Sequence, residues 1–219
     1  MLSAIIVAAG SSRRMGFDKL LAPLGDSSVL AQTIARFQES PDVREIILVC
    51  PAERFLALSL TASCNMIRVD GGSERHYSVQ AGLQALSEDS THVAIHDGAR
   101  PLISAKAISL CYQKAQETQA ATLARPATET IKRATPEQTV SESVSRDGLW
   151  FMETPQIFAT PLIKKAYKEV EAQSELVTDE VSALQLIGHS TSLVTSPCFN
   201  PKITYPADLE LAHKFLSHD

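Results

Sequence analysis

The sequence lacks the features of a membrane protein, a disulfide-stapled protein and a nucleic-acid-binding protein. It has no apolar run of the roughly 18 residues that a bilayer-spanning helix needs. Its four cysteines, Cys50, Cys64, Cys111 and Cys198, lie far apart and show no paired metal-ligand spacing. Its 20 basic side chains are outnumbered by 25 acidic ones, whereas nucleic-acid-binding domains are usually basic as a whole. We therefore expect free thiols, no membrane partner and no nucleic-acid partner.

The order of residues at the start of the sequence differs from that of a secretory signal peptide. In MLSAIIVAAGSSRRM the apolar run precedes Arg13 and Arg14, whereas a signal peptide places its basic region first. The run is therefore interpreted as a buried strand, and a cytoplasmic location is predicted. The 219 residues, 44% of them apolar, suit one domain over residues 1–219 with a sizeable core.

Short apolar runs alternate with segments of helical periodicity along most of the chain. The run at 4–8 is continuously apolar, which is typical of a strand covered on both faces. Further strands are predicted at 45–50, 66–69, 92–96 and 120–124, near Trp150 and near Leu193. A helix is predicted at 29–37, with Ser27 or Ser28 as its cap. Further helices are predicted at 77–86, from a cap at Ser104 to 117, at 161–171, and from about 178 and about 206. This alternation predicts an α/β fold with a mostly parallel sheet and helices on both faces.

The alternation stops between residues 128 and 150, where the sequence is polar. Ile131, Val140 and Val144 are too few apolar residues to bury this segment by itself. Two short strands are predicted at 130–133 and 139–144, around a turn at Pro136. These features predict an antiparallel β-arm that leaves the main body. A surface loop is the alternative, because an isolated hairpin is marginal without something to pack on.

A glycine-containing basic loop, AAGSSRRMGFDK at residues 8–19, directly follows the first strand. Its small residues let backbone N–H groups approach a polyphosphate. Arg13, Arg14 and Lys19 repel one another unless they are solvated or meet an anion. Ligands of open α/β sheets bind at the carboxyl ends of strands, so the loop predicts a site, with a solvated basic turn as the alternative. Neither a Walker A sequence nor GxGxxG is present, which argues against an NAD-linked oxidoreductase.

Two further loops at predicted strand ends carry glycines and charged side chains. The segment DGGSERHYS, residues 70–78, has paired glycines before a helix start, which expose backbone donors. The segment HDGARP, residues 96–101, contains Asp97, a carboxylate that can hold a cation or substrate hydroxyls. Either loop alone also fits an ordinary turn, a helix cap or a surface Asp–Arg pair. Because three such loops converge on one sheet edge, we predict a binding site there.

Seven segments occur in the order seen in the 2-C-methyl-D-erythritol 4-phosphate cytidylyltransferases. They are AAGSSRRM with Lys19, GGSERHYSV, HDGARP, ETIKR, RDGLWFMETPQ, TDEVSAL and NPKITYPADL. The first alone marks only the wider nucleotidyltransferase superfamily, but the set spans nearly the whole chain, which therefore resembles this family. The resemblance implies a Rossmann-like α/β fold with a protruding β-arm that makes a homodimer. It also implies transfer of CMP from CTP to 2-C-methyl-D-erythritol 4-phosphate, with release of pyrophosphate, in the non-mevalonate route to isoprenoids.

The resemblance also implies roles for individual residues. The matched catalytic cations are Arg14, Lys19 and Lys202. The matched nucleotide-binding residues are Ala8, Ala9, Gly10, Gly71, Gly72 and Ser78. The matched residues of the methylerythritol phosphate side are Asp97, Arg100, Thr130, Arg146 and Thr154. Two of these, Thr130 and Arg146, lie at the ends of the predicted arm, and in the family they serve the partner subunit's site. A divalent cation, expected to be Mg²⁺, bridges the phosphates, and no residue is assigned as its ligand.

Four positions depart from the usual residues of the family. Ser12 stands where glycine is common, Ser73 where an acid is common, and Gly98 where alanine is common. Asp18 replaces a usual proline and puts a carboxylate beside Lys19, where it could compete with phosphate for the ammonium.

Two other functions remain open from the sequence. One is a cytidylyltransferase for another polyol phosphate, such as ribitol 5-phosphate, because HDGARP and the loop cations would serve either acceptor. The other is a nucleotide-binding module without catalysis. The presence of all three phosphate-directed cations argues against the module, since a mere binder could lose them.

Overall fold

The computed structural model describes residues 1–10, 15–58 and 65–216, and these alternate between strands and helices as predicted. The strands are β1 (Leu2–Val7), β2 (Pro23–Leu24), β3 (Ser27–Ser28), β4 (Val43–Val49), β5 (Asn65–Val69), β6 (His92–Asp97), β7 (Ala120–Pro126), β8 (Ile131–Ala134), β9 (Val140–Val144), β10 (Trp150–Ala159) and β11 (Ser192–Thr195). The helices are α1 (Val29–Gln38), α2 (Ala52–Leu56), α3 (Arg75–Gln84), α4 (Ala105–Thr118), α5 (Thr160–Gln173), α6 (Glu180–Leu186) and α7 (Pro206–Leu216).

Seven strands form the central sheet in the order β11-β7-β10-β6-β1-β4-β5. Strand β10 is antiparallel to both of its neighbours, and the other neighbouring pairs are parallel. The prediction of a mostly parallel sheet is therefore confirmed. The direction of β10 was not predicted. It follows from its connection, because β7 and β10 are joined through a hairpin rather than through the crossover that parallel neighbours need.

Helices cover both faces of the sheet. Successive residues of a strand point to opposite sides, so apolar residues in sequence need a helix to pack against on each face. On β1, Ile6 belongs to a buried cluster with residues of α1 and α4, whereas Ile5 belongs to a second cluster with residues of α3, α5 and α6. Both side chains are fully buried. This two-sided packing explains why the strand reads as a continuous apolar run.

The helix starts follow local side-chain chemistry. Ser28 Oγ accepts the N–H of Ala31 at 3.3 Å, so Ser28, rather than Ser27, is the cap of α1. Ser104 Oγ accepts the N–H of Ala107 at 3.2 Å, which confirms the predicted cap of α4. Helix α3 begins at Arg75, two residues before its predicted start. The prediction missed the hairpin of β2 and β3 and the helix α2, which are too short to show a periodicity.

The predicted arm is a separate two-stranded antiparallel sheet made of β8 and β9. Its strands are held by side chains across the pair as well as by the backbone, since Arg133 Nε lies 2.8 Å from Glu142 Oε2. Most of its residues are exposed, and Val140 keeps 68% of its surface. The polar composition of the segment therefore produces a protruding hairpin rather than a core element.

No helix in the described part of the chain is long and apolar enough to cross a membrane. Cys50, Cys111 and Cys198 are free thiols, as predicted, and Cys64 lies outside the described residues.

Candidate active site

A cleft of about 590 Å³ opens at the carboxyl ends of β1 and β6, the edge predicted to bind a ligand. Four stretches line it: the loop after β1, the turn before α3, the end of β6 and the segment after β11. These stretches are distant in sequence, and the sheet brings them together.

Most residues that the sequence assigned to the nucleotide and to catalysis line this cleft. They are Ala8, Ala9, Gly10, Lys19, Gly72, Ser78 and Lys202. Asp97, which the resemblance assigned to the methylerythritol phosphate side, lines the cleft as well. Arg14 lies outside the described residues, together with Ser11, Ser12 and Arg13.

Gly71 lies where the turn before α3 packs against the loop after β1. A Cβ added at this position would lie 2.4 Å from the Cβ of Ala9 and 2.8 Å from Ser78 Oγ, so no side chain fits. Ser78 Oγ accepts the N–H of Gly72 at 3.1 Å and donates to the carbonyl of Glu74 at 3.3 Å. The paired glycines and the serine thus form one turn in direct contact with the first loop.

Asp97 is the acidic centre of the cleft and pairs with three cations. Its Oδ2 lies 2.9 Å from Lys202 Nζ and 3.6 Å from Arg100 Nε. Its Oδ1 lies 3.4 Å from Arg75 Nε. Burial alone would raise the pKa of Asp97, but Arg75, Lys202 and Arg100 hold it well below its ordinary value. The carboxyl is therefore ionised at neutral pH.

A hydrogen-bond chain through His96 fixes Asp97 from behind the cleft. The backbone N–H of Asp97 donates to Thr154 Oγ1 at 3.1 Å, and that hydroxyl lies 3.1 Å from His96 Nδ1. His96 Nε2 lies 3.1 Å from the carbonyl oxygen of Arg100, which only accepts, so Nε2 carries the proton and Nδ1 accepts from Thr154. Burial lowers the pKa of His96 to about 3, so the ring is neutral at pH 7.

Asn200 anchors the segment that carries Lys202 to β10 and to the loop after β6. Asn200 Nδ2 donates to the carbonyl of Thr154 at 2.8 Å, and the carbonyl of Asn200 accepts from Arg100 Nη1 at 2.8 Å. Arg100 and Thr154 are both buried and do not belong to the residues that line the cleft. Both lie directly behind the cleft: Thr154 is hydrogen-bonded to Asp97, and Arg100 to the segment that carries Lys202.

The two matched lysines come from opposite ends of the chain and meet through Ile203. The backbone N–H of Ile203 donates to the carbonyl of Ala99 at 2.8 Å. The carbonyl of Ile203 accepts from Lys19 Nζ at 2.6 Å. This contact brings Lys19 to the segment of Lys202.

Asp18, the unusual residue beside Lys19, is paired with a cation that the sequence did not single out. Arg54 Nε lies 2.9 Å from Asp18 Oδ2, and Asp18 Oδ1 accepts the N–H of Leu20 at 3.1 Å. The guanidinium of Arg54 also donates to the carbonyls of Ala8 and of Gly10. The carboxylate is thus engaged by Arg54, which opposes the predicted competition with phosphate for the lysine.

Sequence reasoning missed several buried polar residues around the cleft. They are Arg54, His96, Asn200 and Glu180, the last of which pairs with the half-buried Arg75. Three of the segments quoted for the resemblance contain Arg75, His96 and Glu180, and NPKITYPADL contains Asn200. Their roles depend on contacts between distant segments, and a charged residue near a helix start reads as a surface residue until its partner is known.

Thr130 and Arg146 lie at the two ends of the arm, as predicted, and do not line the cleft of their own chain. Both are exposed. Arg146 Nη1 donates to the carbonyl of Thr128, which ties the two ends of the arm together.

The described residues contain no group of three or more His, Cys, Asp or Glu side chains that could hold a metal ion. Among the described residues that line the cleft, the carboxylates are Asp97 and Glu74, and Asp97 already pairs with three cations. This donor set fits Mg²⁺ only where substrate phosphates and water supply most of its ligands. Mg²⁺ is commonly bound in that way at phosphate sites.

A family model described as IspD, 2-C-methyl-D-erythritol 4-phosphate cytidylyltransferase, matches residues 2–218. The chain belongs to the IspD family. It is similar to the 2-C-methyl-D-erythritol 4-phosphate cytidylyltransferase of Halalkalibacterium halodurans, with 38% identity over 98% of this chain and 96% of the relative. The protein of the same name from Prochlorococcus marinus is 37% identical over 97% of each chain.

Solved structures of IspD proteins have the same fold. The 4-diphosphocytidyl-2C-methyl-D-erythritol synthase of Anaerococcus prevotii superposes with a TM-score of 0.86 at 29% identity, over 99% of this chain and 96% of that one. The 2-C-methyl-D-erythritol 4-phosphate cytidylyltransferase of Thermus thermophilus gives a TM-score of 0.84 at 26% identity, over 99% and 100%. The Rossmann-like α/β fold implied by the resemblance is therefore confirmed.

Proposed function

We propose that this IspD-family protein transfers CMP from CTP to 2-C-methyl-D-erythritol 4-phosphate, in the non-mevalonate route to isoprenoid precursors. The products are 4-diphosphocytidyl-2-C-methyl-D-erythritol and pyrophosphate. The observation that carries the proposal is the convergence of Lys19, Asp97 and Lys202 on one cleft, in a chain matched by the IspD model from residue 2 to residue 218.

The reaction joins two anions, and the residues of the cleft supply the opposite charge. A phosphate oxygen of the acceptor forms a bond to the α-phosphorus of CTP. The bond from that phosphorus to the bridging oxygen breaks, and its electron pair leaves with pyrophosphate, so no protein nucleophile is needed. Lys19 and Lys202 hold positive charge near the phosphates, and Arg14 is the third cation by resemblance. Positioning and fixed charge of this kind can supply the rate.

The nucleotide is held by backbone groups and by the turn before α3. The backbone N–H groups of Ala9 and Gly10 face the triphosphate, whereas that of Ala8 is bonded to the carbonyl of Val49, and Gly71, Gly72 and Ser78 contact the cytosine. The turn packs directly against the first loop, which supports a pocket for a pyrimidine with no room for a purine. Mg²⁺, which would neutralise charge on the phosphates, would be held mainly by phosphate oxygens and water, with Asp97 and Glu74 as the carboxylates at hand.

The acceptor lies between Asp97 of one subunit and the arm of a second copy. Thr130 and Arg146 are exposed and lie outside the cleft of their own chain, which supports their reaching a partner's cleft. Arg146 can then bind the acceptor phosphate with two parallel hydrogen bonds. Arg100 and Thr154 act from behind Asp97. A homodimer made through β8 and β9 is therefore part of this proposal.

The test is pyrophosphate release with a panel of nucleotides and polyol phosphates. We expect release with CTP and 2-C-methyl-D-erythritol 4-phosphate, and about tenfold or more lower specificity for UTP, because a mismatched buried group costs roughly 1–3 kcal/mol. Release with ribitol 5-phosphate instead would assign the protein to another polyol phosphate. CTP binding without release for any acceptor would indicate a nucleotide-binding module.

A further inference from the structure

Glu180 is a fully buried carboxylate that does not line the cleft. It binds Arg75 with both oxygens, since Arg75 Nη1 donates to Oε1 at 2.6 Å and Nη2 donates to Oε2 at 3.0 Å. The hydroxyl of Tyr167 on α5 donates to Oε1 at 3.1 Å. A buried charge persists only when it is paired and hydrogen-bonded in this way.

Arg75 connects Glu180 to the cleft through its remaining nitrogen. Its Nε lies 3.4 Å from Asp97 Oδ1, and Asp97 Oδ2 lies 2.9 Å from Lys202 Nζ. These four side chains form one line of alternating charge, from the buried first residue of α6 to the open cleft: Glu180, Arg75, Asp97 and Lys202. Lys202, the last of them, keeps 40% of its side chain exposed, whereas Glu180 keeps none.

The Glu180 end of this line is fixed to the central sheet. Gln156 on β10 accepts the backbone N–H of Glu180 at 3.1 Å and that of Val181 at 3.3 Å. Its Nε2 donates to Asp179 Oδ2 at 3.0 Å. The first turn of α6 is thus bound to a buried strand, so the carboxylate of Glu180 has a defined position.

We propose that Glu180 is a positioning residue, which acts through Arg75 and Asp97 on Lys202; this rests on the proposed function. An ammonium on a flexible four-carbon stem has no preferred place by itself, and Asp97 provides one. Glu180 occupies both terminal nitrogens of Arg75. Asp97 is therefore left with a single nitrogen of Arg75 on Oδ1, and its Oδ2 remains for Lys202 at 2.9 Å, with Arg100 Nε farther away at 3.6 Å.

Removing the charge of Glu180 changes this division. The freed guanidinium of Arg75 can bind both oxygens of Asp97, the two-bond geometry that arginine and carboxylate prefer. Lys202 then loses its fixed partner. At the same time the cleft gains one net positive charge, which favours the binding of anionic substrates.

The experiment is steady-state kinetics of Glu180→Gln with CTP and 2-C-methyl-D-erythritol 4-phosphate. We expect kcat to fall about 10- to 100-fold, the range for a lost hydrogen bond to a charged group, while the KM for CTP does not rise. Glu175→Gln, the same chemical change at an exposed position, is the matched control and is expected to match the wild type. A folded Glu180→Gln with wild-type kcat, or with only a raised KM, overturns the inference.

A double-mutant cycle tests whether Glu180 acts through Arg75. We expect Arg75→Gln to lower kcat, because Asp97 then loses the nitrogen that holds Oδ1 and thereby orients Oδ2 toward Lys202. Since Glu180 acts only through Arg75, Arg75→Gln/Glu180→Gln should have the kcat of Arg75→Gln alone, because residues of one network are not additive. A double variant whose loss is the product of the two single losses overturns the inference.

The double variant also separates positioning from folding. Glu180→Gln removes the buried charge that Arg75 binds with both terminal nitrogens, which can unfold the protein, whereas removing both charges of a buried pair is often tolerated. If only the double variant folds, a kcat lowered about tenfold or more supports the inference and a wild-type kcat overturns it. An inactive wild type would instead refute the proposed function, and an active wild type with an equally active Glu180→Gln refutes this inference alone.

Discussion

At the residue scale, the buried charges at and around the cleft each have partners that compensate them. Asp97 is buried among three cations, and Arg54 is buried against Asp18 and two backbone carbonyls. Such pairs add little net stability, because desolvation offsets attraction, but breaking one leaves an uncompensated charge. The arrangement therefore constrains where charges lie, which is what a reaction between phosphates requires.

The two described lysines of the cleft are expected to act on the chemical step. Lys19→Ala and Lys202→Ala should each fold and lose about 100- to 1000-fold in kcat, the usual effect of removing one preorganised charge-stabilising group. Turnover at saturating substrates, with circular dichroism for the fold, measures this. Lys164→Ala, on the exposed side of α5, is the control. Wild-type turnover in either cleft variant would remove that lysine from the catalytic set.

The buried His96 makes stability depend on pH. In the unfolded chain an imidazole takes up its proton near pH 6.5, but burial, with Arg100 and Lys202 nearby, lowers the pKa of His96 to about 3 in the fold, against the raising effects of its hydrogen bond to the Arg100 carbonyl and the charge of Asp97. Between these values the unfolded state binds one more proton. The contribution is therefore complete above pH 6.5 and is lost as the pH falls toward 3.

We expect the unfolding free energy to drop by about 1.4 kcal/mol per pH unit below pH 6.5 because of His96. Denaturant unfolding between pH 7 and pH 5 measures it, in a window above the titration of Asp97. The pKa of His92 is also lowered, by burial and by the N-terminal charge, so the wild-type slope contains both. His96→Gln keeps a donor and an acceptor and should reduce the slope by one proton. An unchanged slope would contradict a neutral buried His96.

At the scale of secondary-structure elements, the cleft is made by loops that follow strands and pack against one another. The turn between β5 and α3 approaches the loop after β1 so closely that Gly71 has no space for a Cβ. The segment after β11 is hydrogen-bonded to the loop after β6 through Ile203 and Ala99. The parallel strands set these loops side by side, and small residues let them touch.

Gly71→Ala is expected to push the turn away from the loop after β1. The new Cβ would lie 2.4 Å from the Cβ of Ala9, so one of the two loops must shift. The KM for CTP should rise about tenfold or more, in line with overpacking costs of typically 1–3 kcal/mol. Ala9→Gly in the same chain removes the closest clash and should recover part of the affinity. If Gly71→Ala binds CTP like the wild type, the close contact of these loops does not shape the nucleotide site.

At the scale of the whole molecule, the arm is the element that the single chain does not explain. It is largely exposed, and Thr130 and Arg146 at its ends lie outside the cleft. Three exposed apolar residues, Leu149, Trp150 and Phe151, follow directly where the chain returns to the sheet. A second copy that covers this region would give both the arm and its two matched residues a function.

Mixed dimers provide the test of a shared site. Lys19→Ala and Arg146→Ala subunits should each be nearly inactive alone, because every site of either homodimer has one defect. In a mixed dimer one site collects both defects and the other has none. Random pairing makes about half of the dimers mixed, so about a quarter of all sites would be intact after co-expression.

The mixed sample should therefore recover about a quarter of wild-type activity, measured as pyrophosphate release. Separate tags on the two subunits establish that mixed dimers form. Mixed dimers with no more activity than the parents would show that each arm serves its own subunit or is a surface loop.

How far the sequence reaches depends on the range of the interactions involved. The strands, most helices, the caps at Ser28 and Ser104 and the arm are governed by neighbouring residues, so periodicity and composition predicted them. The short elements β2, β3 and α2 were missed because a few residues carry no periodicity. The antiparallel direction of β10 was missed because it depends on how the chain returns from the arm.

By itself, the sequence determined the α/β alternation, the three loops at strand ends and the segments through which the chain resembles its family. Each of these features depends only on residues that are neighbours in the sequence. Only the tertiary structure decided which charges meet. Arg54 reaches Asp18, and Arg75 joins Glu180 to Asp97, across segments that no local spacing relates. The reason is physical: a charged side chain is buried only where the fold provides its partner, and that partner is set by the packing of the whole sheet.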